Sequence, residues 1–355
     1  MSSSYGSKFK ISLFGESHGP AIGVVIEGVR PGLVLDWAHI SAFCARRLAK
    51  NSWSTPRREP DTPKILSGVM DGVACGTPIC AVIENQNTRS QDYGPASHIA
   101  RPGHADYTGY VKYSGHNDVR GGGHFSARLT APLVFAGAIA TQMLAEQGIY
   151  VGAHIAHIAG IADTPFDPVA VSRQDFEQVH RRDFPVCDST TGEQMIAAID
   201  AARRDGDSVG GVIECAVIGL PAGIGDPIFG SVESTLAAML YAIPAVKGVS
   251  FGNGFAGSML RGSQNNDPFT IKDGQVRTTA NRAGGIQGGI TNAMPVLLQV
   301  AFKPTPSIAK EQQTVDFVQG TVLQHCIQGR HDPCVVPRAA VCVEAGVAIA
   351  LLDML

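Results

Sequence analysis

The stretch from Ala131 to Gln147 constrains the fold more than any other. Opened by Pro132, its LVFAGAIA run is apolar on nearly every side of a 3.6-residue helix. A helix without a polar face must be covered all round. The C-terminal run RAAVCVEAGVAIALLDML has the same character, so two helices call for burial and the rest of the chain must enclose them. With 355 residues, 44% of them hydrophobic, there is material for such a centre.

Short β-branched runs that can supply the cover fall at 10–14, 22–29, 79–84, 211–218 and 296–303. A further helix is expected after Asp36 as N-cap, with Trp37, Ile40, Cys44 and Leu48 at helical spacing. Arg46 and Arg47 then fall in its last turn, where the helix dipole favours cations. Two more are expected from about Glu193 to Arg204, stopped at Gly206, and from Glu233 to Tyr241. Strands and helices alternate without a regular βαβ rhythm, and no linker or short repeat divides the chain. The prediction is therefore α+β, one large domain over residues 1–355.

Net charge of −3 and 6% aromatic residues give neither the electrostatic footprint nor the stacking platform of a nucleic-acid binder. The opening MSSSYGSKFKISLFG has too short an apolar run for a signal-peptide core, and no uncharged stretch reads as an isolated membrane helix. A soluble cytoplasmic protein is expected. The eight cysteines at 44, 75, 80, 187, 215, 326, 334 and 342 form no C-x-x-C pair and read as reduced, small hydrophobes. No metal site is expected: His154 and His157, three apart in a strand, face opposite sides and read as ordinary strand histidines. GNGFAG at 252–257 matches a dinucleotide fingerprint but lacks the helix that must follow it, which removes a nicotinamide oxidoreductase.

The candidate chemistry lies in loops. Glycine, 41 of 355 residues, clusters in GGG at 121–123, in GNGFAG and in AGGIQGGI at 283–290, where backbone can approach a ligand. His18 in GESHG, His104 in RPGHAD and His331 in GRHDP sit between turn residues and near hydroxyls, carboxylates or arginines. Arg57, Arg58, Arg101, Arg120, Arg128, Arg330 and Arg338 punctuate the same loops, a pattern that suits an anionic ligand. In GGGHFSARLTAP a glycine loop runs into a helix start, with Ser126 or Thr130 as cap and Arg128 between them.

Taken in order, GESHG, RPGHADYT, GGG-x-x-SAR-x-T, AGGIQGGI, KPTPSI and GRHDPCVVPRA resemble the motifs of the chorismate synthases over nearly the whole chain. The resemblance implies a lyase that converts 5-enolpyruvylshikimate 3-phosphate to chorismate by 1,4-anti elimination, with reduced FMN and no net redox change. It also implies a helical layer between two antiparallel sheets and a homotetramer. By the same resemblance His18 is a general acid at the departing phosphate, His104 holds or protonates the flavin, Asp332 assists proton transfer to it, and Ser17 and Ser126 relay. Arg46, Arg47, Arg101, Arg128 and Arg330 correspond to substrate-binding positions. His124, Phe125, Ser126, Ala245, Gly288, Lys303, Thr305, Ser307 and Arg330 correspond to FMN-binding ones. No reductase domain is visible, so an external flavin reductase or reductant is the expected partner.

Some positions depart from the family. GGGHFSARLT stands where GGGRSSARET is usual, so His124, Phe125 and Leu129 replace an arginine, a serine and a glutamate. After Arg46 and Arg47 the chain reads LAKNSWS, losing a Pro-Gly and placing Ser52 where a further arginine is usual, with Lys50 as the candidate substitute. An anion or FMN binder without turnover is the alternative these changes raise; the presence of His18, His104 and Asp332 together argues for the enzyme.

Overall fold

Helices Thr130–Ala145 and Val336–Met354 pack on each other at the centre, both almost wholly buried. Where they cross, a Cβ on Gly137 would overlap Ala345, so the backbones approach as closely as a glycine allows. The computed structural model describes residues 3–51, 53–88, 98–327, 329 and 332–355.

Two antiparallel five-stranded sheets cover this pair. The first has the order Ser4–Tyr5, Lys10–Gly15, Ala21–Glu27, Ile79–Glu84, Lys64–Ser67; the second has Val246–Phe251, Val296–Phe302, Gly211–Ile218, Tyr150–Ile158, Ile161–Ala162. Helix Thr130–Ala145 rests mainly on the first sheet and the C-terminal helix on the second. Alternate residues Ile22, Val24 and Ile26 are fully buried, and Val24 and Ile26 join Phe135, Ile139, Val343, Val347, Ile213 and Val300 in one continuous core. This is the expected α+β arrangement of a helical layer between two sheets. The 127–145 stretch is long and apolar enough to cross a membrane, yet it is this buried core helix.

The expected strands form within two residues of their predicted ends. Asp36 caps helix Trp37–Ala45 by accepting from the His39 N–H at 3.0 Å, and Arg46 is its C-cap. Helix Ser189–Arg204 starts four residues early because the Asp188 carboxylate takes the Thr190 and Thr191 N–H groups. GNGFAG makes only one helical turn, Gly254–Gly257. His154 is fully buried and its strand neighbour His157 is not. Helix Asp106–Lys112 and the hairpin Glu311–Asp316/Thr321–Cys326 go beyond the expected elements.

Candidate active site

The triple glycine is the hub. Gly121, Gly122 and Gly123 have φ of 61°, 85° and 52°, the left-handed region that glycine adopts without strain. A Cβ on Gly121 would run into the His18 ring and lie 2.9 Å from Ser17 Oγ; one on Gly122 would lie 3.1 Å from His104 Nε2 and 3.8 Å from the Ser126 Cβ. Four predicted catalytic residues, Ser17, His18, His104 and Ser126, thus meet around two glycines. Ser17 N–H donates to the Gly123 carbonyl at 3.1 Å, which locks the GESHG loop to the hub. Ser126 accepts from the Arg128 N–H at 3.2 Å and caps the short turn leading into the core helix.

His104 is oriented from behind. Its Nδ1 donates to Asp106 Oδ1 at 2.8 Å, leaving Nε2 to face the glycine loop. Arg101 clamps the same carboxylate through Nη2 at 2.6 Å and Nε at 2.8 Å. Burial pushes the Asp106 carboxyl up, but hydrogen bonds from Arg101 and His104 outweigh it and hold the group well below the usual carboxylate range. Arg101 is therefore engaged with Asp106.

The segment TPRREPD at 55–61 strings the other half of the site together on alternate residues. Thr55 N–H donates to Asp332 Oδ1 at 2.5 Å; Arg57 donates to Ser17 Oγ at 3.0 Å and to its carbonyl at 3.1 Å; Glu59 holds Arg57 at 2.8 Å; Asp61 takes Arg47 at 2.6 Å and also Arg128. Arg47, Asp61 and Arg128 are all buried, so two guanidiniums share one carboxylate and leave a net positive charge. Burial draws the Arg47 pKa down to about 10, which leaves it protonated at neutral pH. Asn85 bridges the parts, accepting from Arg128 Nε at 2.9 Å and donating to the carbonyls of Glu16 and Gly19. Arg338 donates to Asp332 at 3.1 Å and to the Arg47 carbonyl at 2.9 Å, tying Asp332 to this half.

A cation-lined edge adjoins. Lys303 Nζ donates to the Gly103 carbonyl, so the KPTPSI loop packs on the RPGHAD loop. Burial, and then repulsion from the Lys247 ammonium, pull the Lys303 pKa down. The Thr305 hydroxyl is buried with no hydrogen-bond partner among the described residues, and Ser307 is buried nearby in sequence. Ala245, at φ 74°, takes the Lys303 N–H at 3.0 Å. Cations beside an unsatisfied hydroxyl fit an anionic group such as a flavin phosphate.

Other predicted residues lie elsewhere. Arg46 donates with both Nη atoms at 2.6 Å to Glu344, a fully buried carboxylate of the C-terminal helix, so its guanidinium anchors elements. His124 is taken up by the Gly15 carbonyl and Ser3 Oγ, both at 3.0 Å, and ties the glycine loop to the first sheet. Phe125 packs on helix Asp106–Lys112, where a Cβ on Gly109 would come within 2.7 Å of it, and 6.1 Å from the Tyr113 ring. Leu129 is buried against Ile22 and Ile83. Lys50 points to Asp183 at 3.7 Å and does not join the arginine cluster. Gly288 is at an exposed turn before strand Val296–Phe302, whereas Lys303 follows that strand. Ser52, Arg330 and His331 lie outside the described residues.

Sequence reasoning missed Asp106, Asp61, Glu59, Asn85 and Lys247. Asp106, two residues after His104, and the alternating polar pattern T-R-E-D at 55, 57, 59 and 61 were available signals. Asn85 and Lys247 carry none.

Imidazoles, hydroxyls and guanidiniums gathered at a left-handed glycine loop, on an α+β sandwich, are the groups that an enzyme site for an anionic small molecule requires. The sequence profile of chorismate synthase matches residues 9–355. The chain is 47% identical over 357 residues to the chorismate synthase of Dehalococcoides mccartyi, covering 100% of this chain and 96% of that one. It is 44% identical over 351 residues to the chorismate synthase of Thermococcus gammatolerans, covering 99% and 96%. A solved structure described as a crystal structure of chorismate synthase matches with a TM-score of 0.76 at 27% identity, over 99% of this chain and 92% of that one. The chain belongs to the chorismate synthase family. It is a lyase of aromatic amino acid biosynthesis.

Proposed function

We propose that the site eliminates phosphate and a ring proton from 5-enolpyruvylshikimate 3-phosphate in the 1,4-anti sense to give chorismate, with reduced FMN bound. The observation that carries this reading is the convergence of Ser17, His18, His104 and Ser126 on Gly121 and Gly122. His18, backed by Ser17, protonates the departing phosphate. Loss of phosphate builds negative charge, and the buried cationic cluster of Arg47 and Arg128 around Asp61 is preorganised to offset it. Lys303, Thr305 and Ser307 would hold the FMN phosphate, and Ser126 at the hub and Ala245 beside Lys303 would contact the cofactor, with Phe125 acting on it through its packing on helix Asp106–Lys112. Reduced FMN, when bound, would supply electron-rich ring chemistry suited to loss of the substrate's ring proton. His104, oriented by Asp106, would present Nε2 to the bound flavin, and Asp332, set by Thr55 and Arg338, would assist the proton transfer.

The chain acts as one domain over residues 1–355, is cytoplasmic and obtains reduced flavin from an external reductase or reductant. Free thiols at all eight cysteines support a reducing compartment. A homotetramer is supported by the large exposed side chains Ile228, Phe229, Phe255 and Met259, 82 to 92% exposed. They lie in the 224–231 loop and the 252–260 segment, both packed on 282–289 at one end of the second sheet.

The test is an anaerobic assay with purified chain, chemically reduced FMN and 5-enolpyruvylshikimate 3-phosphate. Equal amounts of phosphate and chorismate, without flavin consumption, are expected. Substrate and flavin binding without product would overturn the elimination reading, and absence of flavin binding the cofactor.

A further inference from the structure

His154 projects from the outer face of the second sheet, opposite the side on which Ala153 and Ile155 join the core. Its ring is fully buried under Phe166, with centroids 4.5 Å apart. Nδ1 lies 3.1 Å from Asp163 Oδ2, and Nε2 donates to Glu214 Oε2 at 2.7 Å. Cys187, in the loop before helix Ser189–Arg204, completes the group: His154, Asp163 and Cys187 offer a ring nitrogen, a carboxylate oxygen and a thiol sulfur within 4.8 Å of one another. This is the one His/Cys/Asp/Glu cluster of that kind among the described residues.

We propose that His154 Nδ1, Asp163 and Cys187 Sγ bind a tetrahedral divalent transition-metal ion of the zinc class, with the fourth position left to water. Bonds of about 2.0 to 2.3 Å place tetrahedral ligand atoms about 3.5 Å apart. The nitrogen and oxygen are already near that separation, so closure asks for a shift of about an ångström in the thiol. Cys187 is half-buried on a loop and can make it. Nitrogen, oxygen and thiolate sulfur together select zinc or cobalt over calcium or magnesium, which take oxygen ligands.

The surroundings are those of a ligating histidine. Glu214 holds the far ring nitrogen and is itself held by the Phe166 N–H at 2.8 Å, which fixes the ring orientation. Asp163 is fixed by the N–H groups of Cys187 at 2.5 Å and Asp188 at 2.9 Å, so the backbone of the Cys187 loop is tied to the carboxylate while the thiol side chain stays free to turn. On binding, the ion takes the place of the proton on Nδ1 and of the thiol proton. Two protons leave as a charge of +2 enters, and the net charge of the buried site is unchanged. The proposal is independent of the catalytic reading: its residues belong to the second sheet and its outer loops, not to the glycine hub.

The experiment is a Co²⁺ titration of the metal-free full-length chain, followed in the near-ultraviolet and visible. A thiolate-to-cobalt band and tetrahedral d–d bands, saturating at one ion per chain and displaced by Zn²⁺, are expected. Cys187→Ser should lose the near-ultraviolet band while keeping its circular dichroism, and Glu214→Gln should keep the band with affinity about 10- to 100-fold weaker. Absence of the band in the wild-type chain at millimolar cobalt overturns the site. So does a band of full intensity in Cys187→Ser, which would mean another thiol binds, and unchanged affinity in Glu214→Gln removes that carboxylate from it.

Discussion

At the residue scale the site depends on side chains that do not themselves reach the glycine loop. Asp106 touches His104 on the nitrogen away from the hub. In the proposed mechanism Asp106→Asn should therefore lower kcat about 10²-fold with KM little changed, because the imidazole loses its orientation while the arginine cluster stays intact. Single-turnover phosphate release against substrate concentration would separate the two; an equal loss in KM would make Asp106 a binding residue. Phe125 packs on helix Asp106–Lys112, an apolar contact where the family usually has a serine hydroxyl. Phe125→Ser is expected to change reduced-FMN affinity, measured by fluorescence titration, and equal affinities would show that this departure leaves the cofactor site unaltered. GESHG, RPGHAD and GGGHFSAR were legible as site motifs because each is a local run. Asp61 was not, since what places it in the candidate site is the meeting of Arg47 and Arg128, 14 and 67 residues away.

At the element scale, Arg46 illustrates how tertiary context redirects a side chain. Placed at the end of helix Trp37–Ala45, its guanidinium meets Glu344, which also accepts from His180 at 3.1 Å and from the Ala153 N–H at 3.0 Å. Burial pushes the Glu344 carboxyl up, but Arg46 and His180 outweigh it and hold it at about 2, against an ordinary 4.5. A depressed folded-state pKa contributes stability above the unfolded value, and that stability is lost as pH falls. The contribution, on the order of 3 kcal/mol, should thus fade between about pH 5 and pH 2. Urea unfolding of wild type and Glu344→Gln across that window should converge toward acid pH; a constant difference would refute the coupling. Arg46→Ala at neutral pH leaves the carboxylate buried without its main partner and should cost about 3 to 5 kcal/mol, far more than any change in KM. Gly137→Ala should cost about 1 to 3 kcal/mol by forcing the two central helices apart, readable in the same unfolding assay.

At the scale of the whole molecule, the two enclosed helices leave little doubt about architecture, but assembly depends on what the outer loops expose. Phe229 is 92% exposed and Phe255 86%, a poor surface for an isolated chain. If the proposed tetramer forms through this surface, Phe229→Asp should shift the species seen by light scattering toward smaller forms. A wild-type chain that is monomeric at working concentration would remove the tetramer from the proposal.

The sequence by itself determined the central helices, the strands that cover them, the loops that carry histidine and arginine, and through their motifs the family. These are local properties, set by periodicity, caps and short runs of residue type. Only the tertiary structure decided which charges meet. It sent Arg46 to Glu344, His124 to the Gly15 carbonyl and Lys50 to Asp183, and it joined Arg47 and Arg128 through Asp61. The physical reason is that a buried charge must find an opposite one wherever the packing brings it, and that partner is chosen by distance in space rather than along the chain.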